Sequence, residues 1–160
     1  MKVGVLLPSR FEDPGDFLAD ARAMEAAGVD SVWLEDDGGH DPMLALAAIA
    51  AVTGQLCLGL ILPNSSSAFE AVSWRGFETL QHLSRHRGMV GVSQGGKIVS
   101  PTKEWLRVDV PVDREAWART LELAQTNFDG VLVSMDPRLL DILRHPQDAI
   151  DRSDLQLAQG

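Results

Sequence analysis

The chain has 160 residues, of which 45% are hydrophobic and 23% are charged. This is the composition of an ordinary globular domain, and it excludes a disordered, collagen-like or coiled-coil chain. A net charge of −9 would repel nucleic-acid phosphates and anionic membrane surfaces, so neither is expected as a partner. The single cysteine, Cys57, lies in an apolar run, and we see no signal-peptide pattern or membrane-spanning stretch. We therefore expect a cytoplasmic protein with a buried thiol.

Short β-rich runs alternate with helical patterns over the first part of the chain. The runs that predict buried strands are residues 3–7, 30–34, 56–62 and 89–92. Asp-Pro pairs at 13–14 and 41–42 combine an N-cap residue with proline at the first helical position, which predicts two helix starts. The second helix, 43–52, is apolar almost all round, so we expect it to be deeply packed. A third helix is predicted over about 69–84. The spacing of the strands, near thirty residues, is typical of βα units that feed a parallel sheet.

The pattern weakens and then returns in the C-terminal part. Residues 95–111 contain a Gly-Gly pair and two prolines, and we predict a loop with one irregular or edge strand there. A helix capped by Asp113, a fifth core strand over 129–133 and a last helix beginning at Asp136 follow. Because no Pro-, Gly- or Ser-rich linker divides the chain, we predict one α/β domain over residues 1–150 and a polar, loosely held tail over 151–160.

Polar loops follow the predicted strands. In parallel α/β folds, ligands bind at the carboxyl ends of the strands, where the loops converge. The loop after the second strand, residues 35–40, holds three carboxylates, Glu35, Asp36 and Asp37, together with His40, and Asp41 follows it. A functional interpretation makes His40 an acid, base or ligand contact and the carboxylates metal ligands. The alternative makes Asp41 an N-cap and the rest a solvated turn. Because no second His or Cys cluster accompanies His40 at ligand spacing, we expect no metal site.

Two further loops have groups suited to a small-molecule ligand. Asn64 and Ser65 could hold a phosphate, a ribityl chain or a carbonyl, or could form an ordinary loop and N-cap. Gly95 and Gly96, followed by Lys97, could cradle a phosphate with backbone amides. Their spacing matches neither the dinucleotide-binding fingerprint nor a P-loop.

Several segments resemble the bacterial luciferase-like monooxygenase family. They are DARAMEAAGVDSVWLED (20–36), DPMLALAAIAAVT (41–53), LCLGL (56–60), LQHLSRHRG (80–88) and GVSQGG (91–96), with a further similarity over 113–154. The family implies a TIM barrel that binds FMN or a deazaflavin at the strand C-termini and carries out flavin-dependent oxidation or hydride transfer, often as a dimer. By position, the cofactor-facing residues would be Ser9, Asp37, Asn64, Ser65, Gly95 and Gly96, with His40 as the candidate catalytic residue.

The length conflicts with a complete family barrel. Eight βα units need about 250 residues, and the central units of the family are missing from this chain. We therefore predict an incomplete TIM-barrel-like, mostly parallel sheet of about five core strands flanked by helices. Its open edges would need covering, and a second copy of the chain would do so, which predicts a homodimer.

The resemblance implies a flavin- or deazaflavin-dependent oxidoreductase or monooxygenase whose site is completed by dimerisation. Two alternatives stay open. The first is a non-catalytic protein that binds a flavin or another small molecule, or no cofactor at all. The second is an interaction partner of a full-length luciferase-like subunit.

Overall fold

The computed structural model describes residues 1–64 and 74–144. The strands there are β1 (Lys2–Leu6), β2 (Ser31–Glu35), β3 (Cys57–Leu62), β4 (Gly88–Gln94), β5 (Lys97–Val99), β6 (Glu104–Val108) and β7 (Gly130–Ser134). The helices there are α1 (Pro14–Ala26), α2 (Pro42–Val52), α3 (Trp74–Leu83), α4 (Arg114–Ala124) and α5 (Leu139–Arg144). Ser65, the predicted start of the third helix and the predicted tail lie outside the described residues.

Aspartate side chains begin three of the helices, as the sequence predicts. The Asp13 carboxylate accepts hydrogen bonds from two backbone N–H groups in the first turn of α1. Asp41 does the same for α2, and Asp113 accepts one such bond in α4. Each carboxylate satisfies N–H groups that have no partner within the helix. The Asp41 side chain therefore has a structural role that needs no ligand.

The seven strands form a closed barrel in chain order, with β7 paired to β1. The pairs β1–β2, β2–β3, β3–β4, β6–β7 and β7–β1 are parallel, whereas β4–β5 and β5–β6 are antiparallel. The predicted open sheet of about five core strands is therefore wrong, although the mixed α/β, barrel-like character is confirmed. Because the barrel leaves no open edge, the sheet gives no reason for a covering second subunit.

The two additional strands come from the segment predicted to be a loop with an irregular or edge strand. A two-residue turn joins β4 to β5, and both of its residues have positive φ, +53° at Gly95 and +83° at Gly96. That backbone geometry matches the right-handed twist of a tight hairpin and strongly favours glycine. The backbone N–H of Arg107 donates to the Gly96 carbonyl at 3.0 Å, so β6 is also joined to the turn. β5 and β6 thus lie between β4 and β7 and close the barrel.

Alternation along each strand separates two apolar cores. Side chains facing outward, such as Val5, Val32 and Leu58, pack with the helices in one large cluster. Side chains facing inward form a second cluster inside the barrel, made of Trp33, Ile61, Ile98, Trp105 and Leu132. This is the period-two arrangement expected when a sheet is buried on both faces.

Two tryptophans fill much of the barrel interior. The rings of Trp33 and Trp105 meet edge to face, with centroids 5.5 Å apart. Glycines on neighbouring strands make room for them, because a Cβ at Gly59 would collide with the Trp33 ring and one at Gly130 with the Trp105 ring. The interior at this level is a packed core, as in other small barrels.

Two burial predictions need correction. The inner face of α2 is buried as expected, but Leu44 on its outer face is 72% exposed, because only one side of the helix meets the barrel and its neighbouring helices. Cys57 is half-buried rather than buried, since it is the first residue of β3 and lies at an open end of the barrel. Among the described helices, none combines the length and apolarity needed to cross a bilayer.

Candidate functional site

A cleft of about 290 Å³ opens at the end of the barrel where the parallel strands finish. It is lined by Leu6, Leu7, Pro8, Ser9, Arg10, Glu35 and Asp37. These residues come from the ends of β1 and β2 and from the loops that follow them. We call this space the mouth cleft. In α/β barrels the loops at this end carry the ligand and catalytic groups.

Hydrogen bonds join the two loops of the mouth cleft. The Ser9 hydroxyl donates to Asp37 Oδ2 at 2.9 Å, and the His40 backbone N–H donates to the Ser9 carbonyl at 2.9 Å. The Arg10 guanidinium donates to the Gly38 carbonyl at 3.2 Å. At Gly39 the loops approach so closely that a Cβ would lie 2.6 Å from the Ser9 carbonyl oxygen. The structure therefore brings together three predicted site residues, Ser9, Asp37 and His40.

Asp37 is held as a carboxylate in this arrangement. The hydrogen bond from the Ser9 hydroxyl is the largest influence that lowers the pKa of Asp37, and the Gly39 N–H and the positive charge of Arg10 lower it further. Together these contacts outweigh the loss of solvation, which acts in the opposite direction and raises the pKa of Asp37. A carboxylate whose pKa is lowered can fix the loops and accept hydrogen bonds, but it is unsuited to donating a proton near neutral pH.

His40 packs against the loop after β1 instead of standing free. Its Nε2 lies 3.1 Å from the Phe11 carbonyl oxygen, and its ring is 4.4 Å from the Phe11 ring, centroid to centroid. Because a carbonyl oxygen only accepts, this contact assigns the proton to Nε2. In a neutral imidazole, the free lone pair is then on Nδ1.

An ion pair at the barrel mouth was missed by the sequence reasoning. The Arg107 guanidinium on β6 makes two hydrogen bonds to Glu35 at the end of β2, at 3.0 and 3.2 Å. The two side chains are 34% and 29% exposed. Glu35 also lines the mouth cleft, so the ion pair adjoins the cleft through Glu35. The alternating run that contains Arg107 was the available signal, but the 72-residue separation of the pair could not be bridged from the sequence.

The other predicted site residues have different surroundings. Asn64 lies just after β3 and is exposed, and Ser65 lies outside the described residues. Gly95 and Gly96 form the hairpin turn, so the turn already accounts for both glycines. Lys97 is paired with Glu104 at 2.9 Å. Its neighbour Ile98 faces the barrel interior. Because successive side chains of a strand point to opposite faces, the Lys97 side chain is on the outside of the barrel.

Acidic, histidine and cysteine side chains do not converge as a metal site within residues 1–64 and 74–144. Three of the four carboxylates in residues 35–41 have structural partners. Asp37 holds the Ser9 hydroxyl, Asp41 caps α2, and Glu35 pairs with Arg107.

These features define an α/β barrel with its polar, loop-built cleft at the carboxyl ends of the strands. The model of the luciferase-like monooxygenase family matches residues 1–137. The chain therefore belongs to the luciferase-like monooxygenase family.

Two individual proteins are also similar to parts of this chain. The chain is similar to an F420-dependent glucose-6-phosphate dehydrogenase of Amycolatopsis mediterranei (strain U-32), with 28% identity over a 152-residue alignment that covers 81% of this chain and 44% of that protein. Among solved structures it is similar to the long-chain alkane monooxygenase LadA, with 14% identity, a TM-score of 0.48 and coverage of 79% of this chain and 38% of that one. The chain thus spans less than half the length of the curated relative it matches.

Proposed function

We propose that this chain binds a deazaflavin or flavin at the mouth cleft and acts as a luciferase-like oxidoreductase. The observation that carries the proposal is the family match over residues 1–137, which includes both loops of the cleft and the strand that bears Arg107. The similarity to a protein named as F420-dependent favours a deazaflavin over FMN.

The residues at the mouth fit part of such a cofactor. The cleft, at about 290 Å³, falls just below the range of about 300–1,000 Å³ that is typical of small-molecule sites. The cleft would therefore hold the planar ring system of the cofactor. The rest of the cofactor would lie at the rim of the cleft, towards the exposed Asn64 and the Gly95-Gly96 turn. The guanidinium of Arg107 is planar and always charged, so it suits carbonyl or anionic oxygens in the plane of a ring.

When bound, the cofactor would supply two-electron chemistry, and the chain would supply position and charge. The Ser9–Asp37 hydrogen bond fixes the loops that form the wall of the cleft. Glu35 holds the Arg107 side chain in one orientation. His40, with Nε2–H directed to a backbone carbonyl, offers Nδ1 as the atom that would accept a proton from a substrate.

Titration of the purified chain with FMN and with the deazaflavin F420 tests the proposal. We expect saturable binding, tighter for F420, and a dissociation constant about tenfold higher for Arg107→Gln, the effect of losing one charge-assisted contact. Arg119→Gln is the matched control, because Arg119 pairs with Glu115 on the exposed surface of α4. Absence of binding to both cofactors, or an equal effect of the two substitutions, would contradict the proposal.

The part played by His40 is tested separately. His40→Asn should lower turnover of the bound cofactor with an electron acceptor by about 10²-fold or more, in the range of general-base effects, while cofactor affinity stays within twofold. If the wild-type chain binds the cofactor but shows no turnover, the non-catalytic binding protein becomes the correct description.

A second candidate follows from the coverage of 44% of the curated relative. The chain would form one part of a cofactor site that a second copy or a full-length luciferase-like subunit completes. Light scattering of the chain with and without F420 tests completion of the site by a second copy. A mass that doubles with the cofactor favours the homodimer, whereas a monomer that binds the cofactor with full affinity contradicts this candidate.

A further inference from the structure

Polar side chains form a layer inside the barrel, at the end where the parallel strands finish. β2, β4, β6 and β7 run in the same direction, and the last inward-facing residue of each is polar. These residues are Glu35, Ser93, Arg107 and Ser134. We call them the polar layer. The last inward-facing residues of β1 and β3 are the apolar Leu6 and Ile61.

The alternation along the strands directs the polar layer into the barrel. Trp33, Trp105 and Leu132 belong to the interior cluster. The layer residues on the same strands follow them by two positions and therefore face the same way. Ser93 lies opposite Ile98, another member of that cluster, in the antiparallel β4–β5 pair. Directly opposite residues of such a pair lie on one face of the sheet.

The Glu35–Arg107 ion pair crosses the interior at this level. β2 and β6 are not neighbours in the barrel, so the two hydrogen bonds between these side chains span the space above the packed tryptophans. A bidentate pair of this kind has two parallel N–H···O bonds in one plane. Both side chains are partly exposed. A ligand that enters the barrel mouth can therefore contact them.

Much of the hydrogen-bonding capacity of the polar layer is unused. Within residues 1–64 and 74–144, neither the Ser93 hydroxyl nor the Ser134 hydroxyl has a hydrogen-bond partner. Ser93 is half-buried and Ser134 is exposed. Two hydrogen bonds from the Arg107 side chain go to Glu35, and none goes to another described residue. The layer thus has free donors at the open end of the barrel.

The order of these groups around the barrel limits what they can bind. Glu35 is on β2, and the strands that carry Ser93 and Ser134 are each two strands away, on opposite sides of it. A carboxylate only accepts hydrogen bonds, whereas a hydroxyl can donate. The layer therefore presents one acceptor between two donors. Its two charges cancel, so it offers no net attraction to an anion.

We propose that the polar layer binds the imide edge of a planar heterocycle, the carbonyl–N–H–carbonyl sequence of a pyrimidinedione. The ring N–H would donate to Glu35, and the carbonyls on either side would accept from Ser93 and Ser134. Arg107 would keep the Glu35 carboxylate in the plane of the ring. Flavins, deazaflavins and free pyrimidinediones share this edge. Where the ring is that of the cofactor, the inference rests on the proposed function and identifies the end of the ring that enters the barrel.

Lumiflavin tests the inference, because it has the flavin ring system without a ribityl chain or phosphate. Its derivative methylated at the imide nitrogen lacks the N–H and would place a methyl group against Glu35. Fluorescence titration of the purified chain measures both dissociation constants. We expect saturable binding of lumiflavin, and a dissociation constant at least about tenfold higher for the methylated derivative.

Two variants test the serines. Ser93→Ala and Ser134→Ala should each raise the dissociation constant of lumiflavin about fivefold, the effect of one lost hydrogen bond. Ser100→Ala is the matched control, because the Ser100 hydroxyl donates to the Lys103 carbonyl at the other end of the barrel. It should leave the dissociation constant within about twofold. Thermal unfolding of each variant establishes that the fold is retained.

A titration with uracil, a free pyrimidinedione, identifies the source of the ring. Tighter binding of lumiflavin than of uracil supports the cofactor ring as the ligand, whereas tighter binding of uracil supports a free pyrimidinedione. Failure of both to bind would overturn the inference. So would equal affinity for lumiflavin and its methylated derivative, or unchanged affinity in both serine variants.

The inference and the proposed function can fail separately. Binding of F420 or FMN by a chain that does not distinguish lumiflavin from its methylated derivative would overturn the inference and leave the proposed function standing. Binding of lumiflavin that depends on the imide N–H, without binding of either complete cofactor, would support the inference and contradict the proposed function.

Discussion

Replacing Arg87 with alanine should destabilise the junction between α2 and β3 strongly. The Arg87 guanidinium donates to the carbonyls of Ala50, Thr53, Leu56 and Ser84 at 2.7 to 3.0 Å, and to the Thr53 hydroxyl at 3.0 Å. The last turn of α2 has no basic residue of its own. The carbonyls at the end of a helix lack hydrogen-bond donors within that helix. Arg87 donates to those at the end of α2, although it is more than thirty residues further along the chain.

The magnitude follows from these contacts. A hydrogen bond to a charged group contributes about 1.5–3 kcal/mol net, but bonds that share one side chain are not additive. Since water can replace part of the set at this half-buried site, we expect Arg87→Ala to lower the free energy of unfolding by about 3–4 kcal/mol. Arg87→Lys should lower it by about 2 kcal/mol, because an ammonium lacks the planar arrangement of donors.

Urea denaturation of the purified chain measures both values. Arg22→Ala is the control, since Arg22 is exposed on α1, and it should change the free energy by less than about 0.5 kcal/mol. A loss below about 1 kcal/mol for Arg87→Ala, within the range of a single surface contact, would refute the reasoning. It would mean that water serves these carbonyls as well as the guanidinium does.

Three other substitutions test the barrel and its loops. Gly59→Ala should lower the free energy of unfolding by about 3 kcal/mol, because its Cβ would collide with Trp33. Gly54→Ala should not lower it, because the space around its Cβ is open. Equal melting temperatures for the two variants would contradict the packing argument. Gly95→Ala should destabilise the hairpin by about 1–2 kcal/mol because φ is positive there, and Gly95→Asn should be tolerated better in the same thermal melts. At Glu25, burial raises the pKa. The N–H groups of the turn before β3 and a nearby arginine lower the pKa by more than burial raises it, so the net pKa is below its ordinary value. The stabilisation it gives is therefore complete above the ordinary pKa and is lost as the pH falls through the lowered pKa of the folded protein. Glu25→Gln should flatten that part of the stability–pH curve, and an unchanged slope would argue against it.

The local parts of the fold were predictable because their signals are local. An aspartate followed by proline sets a helix start within four residues, which explains the success at Asp13 and Asp41. Likewise, a short apolar run followed by a helical pattern identified β1 to β4 and β7. Three of the four tryptophans are buried, whereas Trp74 is 50% exposed.

The closure of the barrel was not predictable in the same way. β5 has three residues, too few for periodicity to indicate a strand, and it forms only because β4 and β6 lie on either side. The Gly95-Gly96 pair was a hairpin signal, but a ligand loop has the same composition. The Glu35–Arg107 pair depends on the barrel being closed, so the candidate site could not be completed before the topology was known.

The pairing of β1 with β7 has a consequence for synthesis of the chain. It joins residues 2–6 to residues 130–134, and at about 5–20 residues per second their appearance is separated by roughly 6 to 25 seconds. Throughout that interval the sheet is open, with β1 at one unpaired edge and the most recently added strand at the other. Unpaired strand edges readily join strands of other chains. A chain whose synthesis stops before residue 130 would therefore expose an aggregation-prone edge at β1, because β7 is the strand that pairs with it.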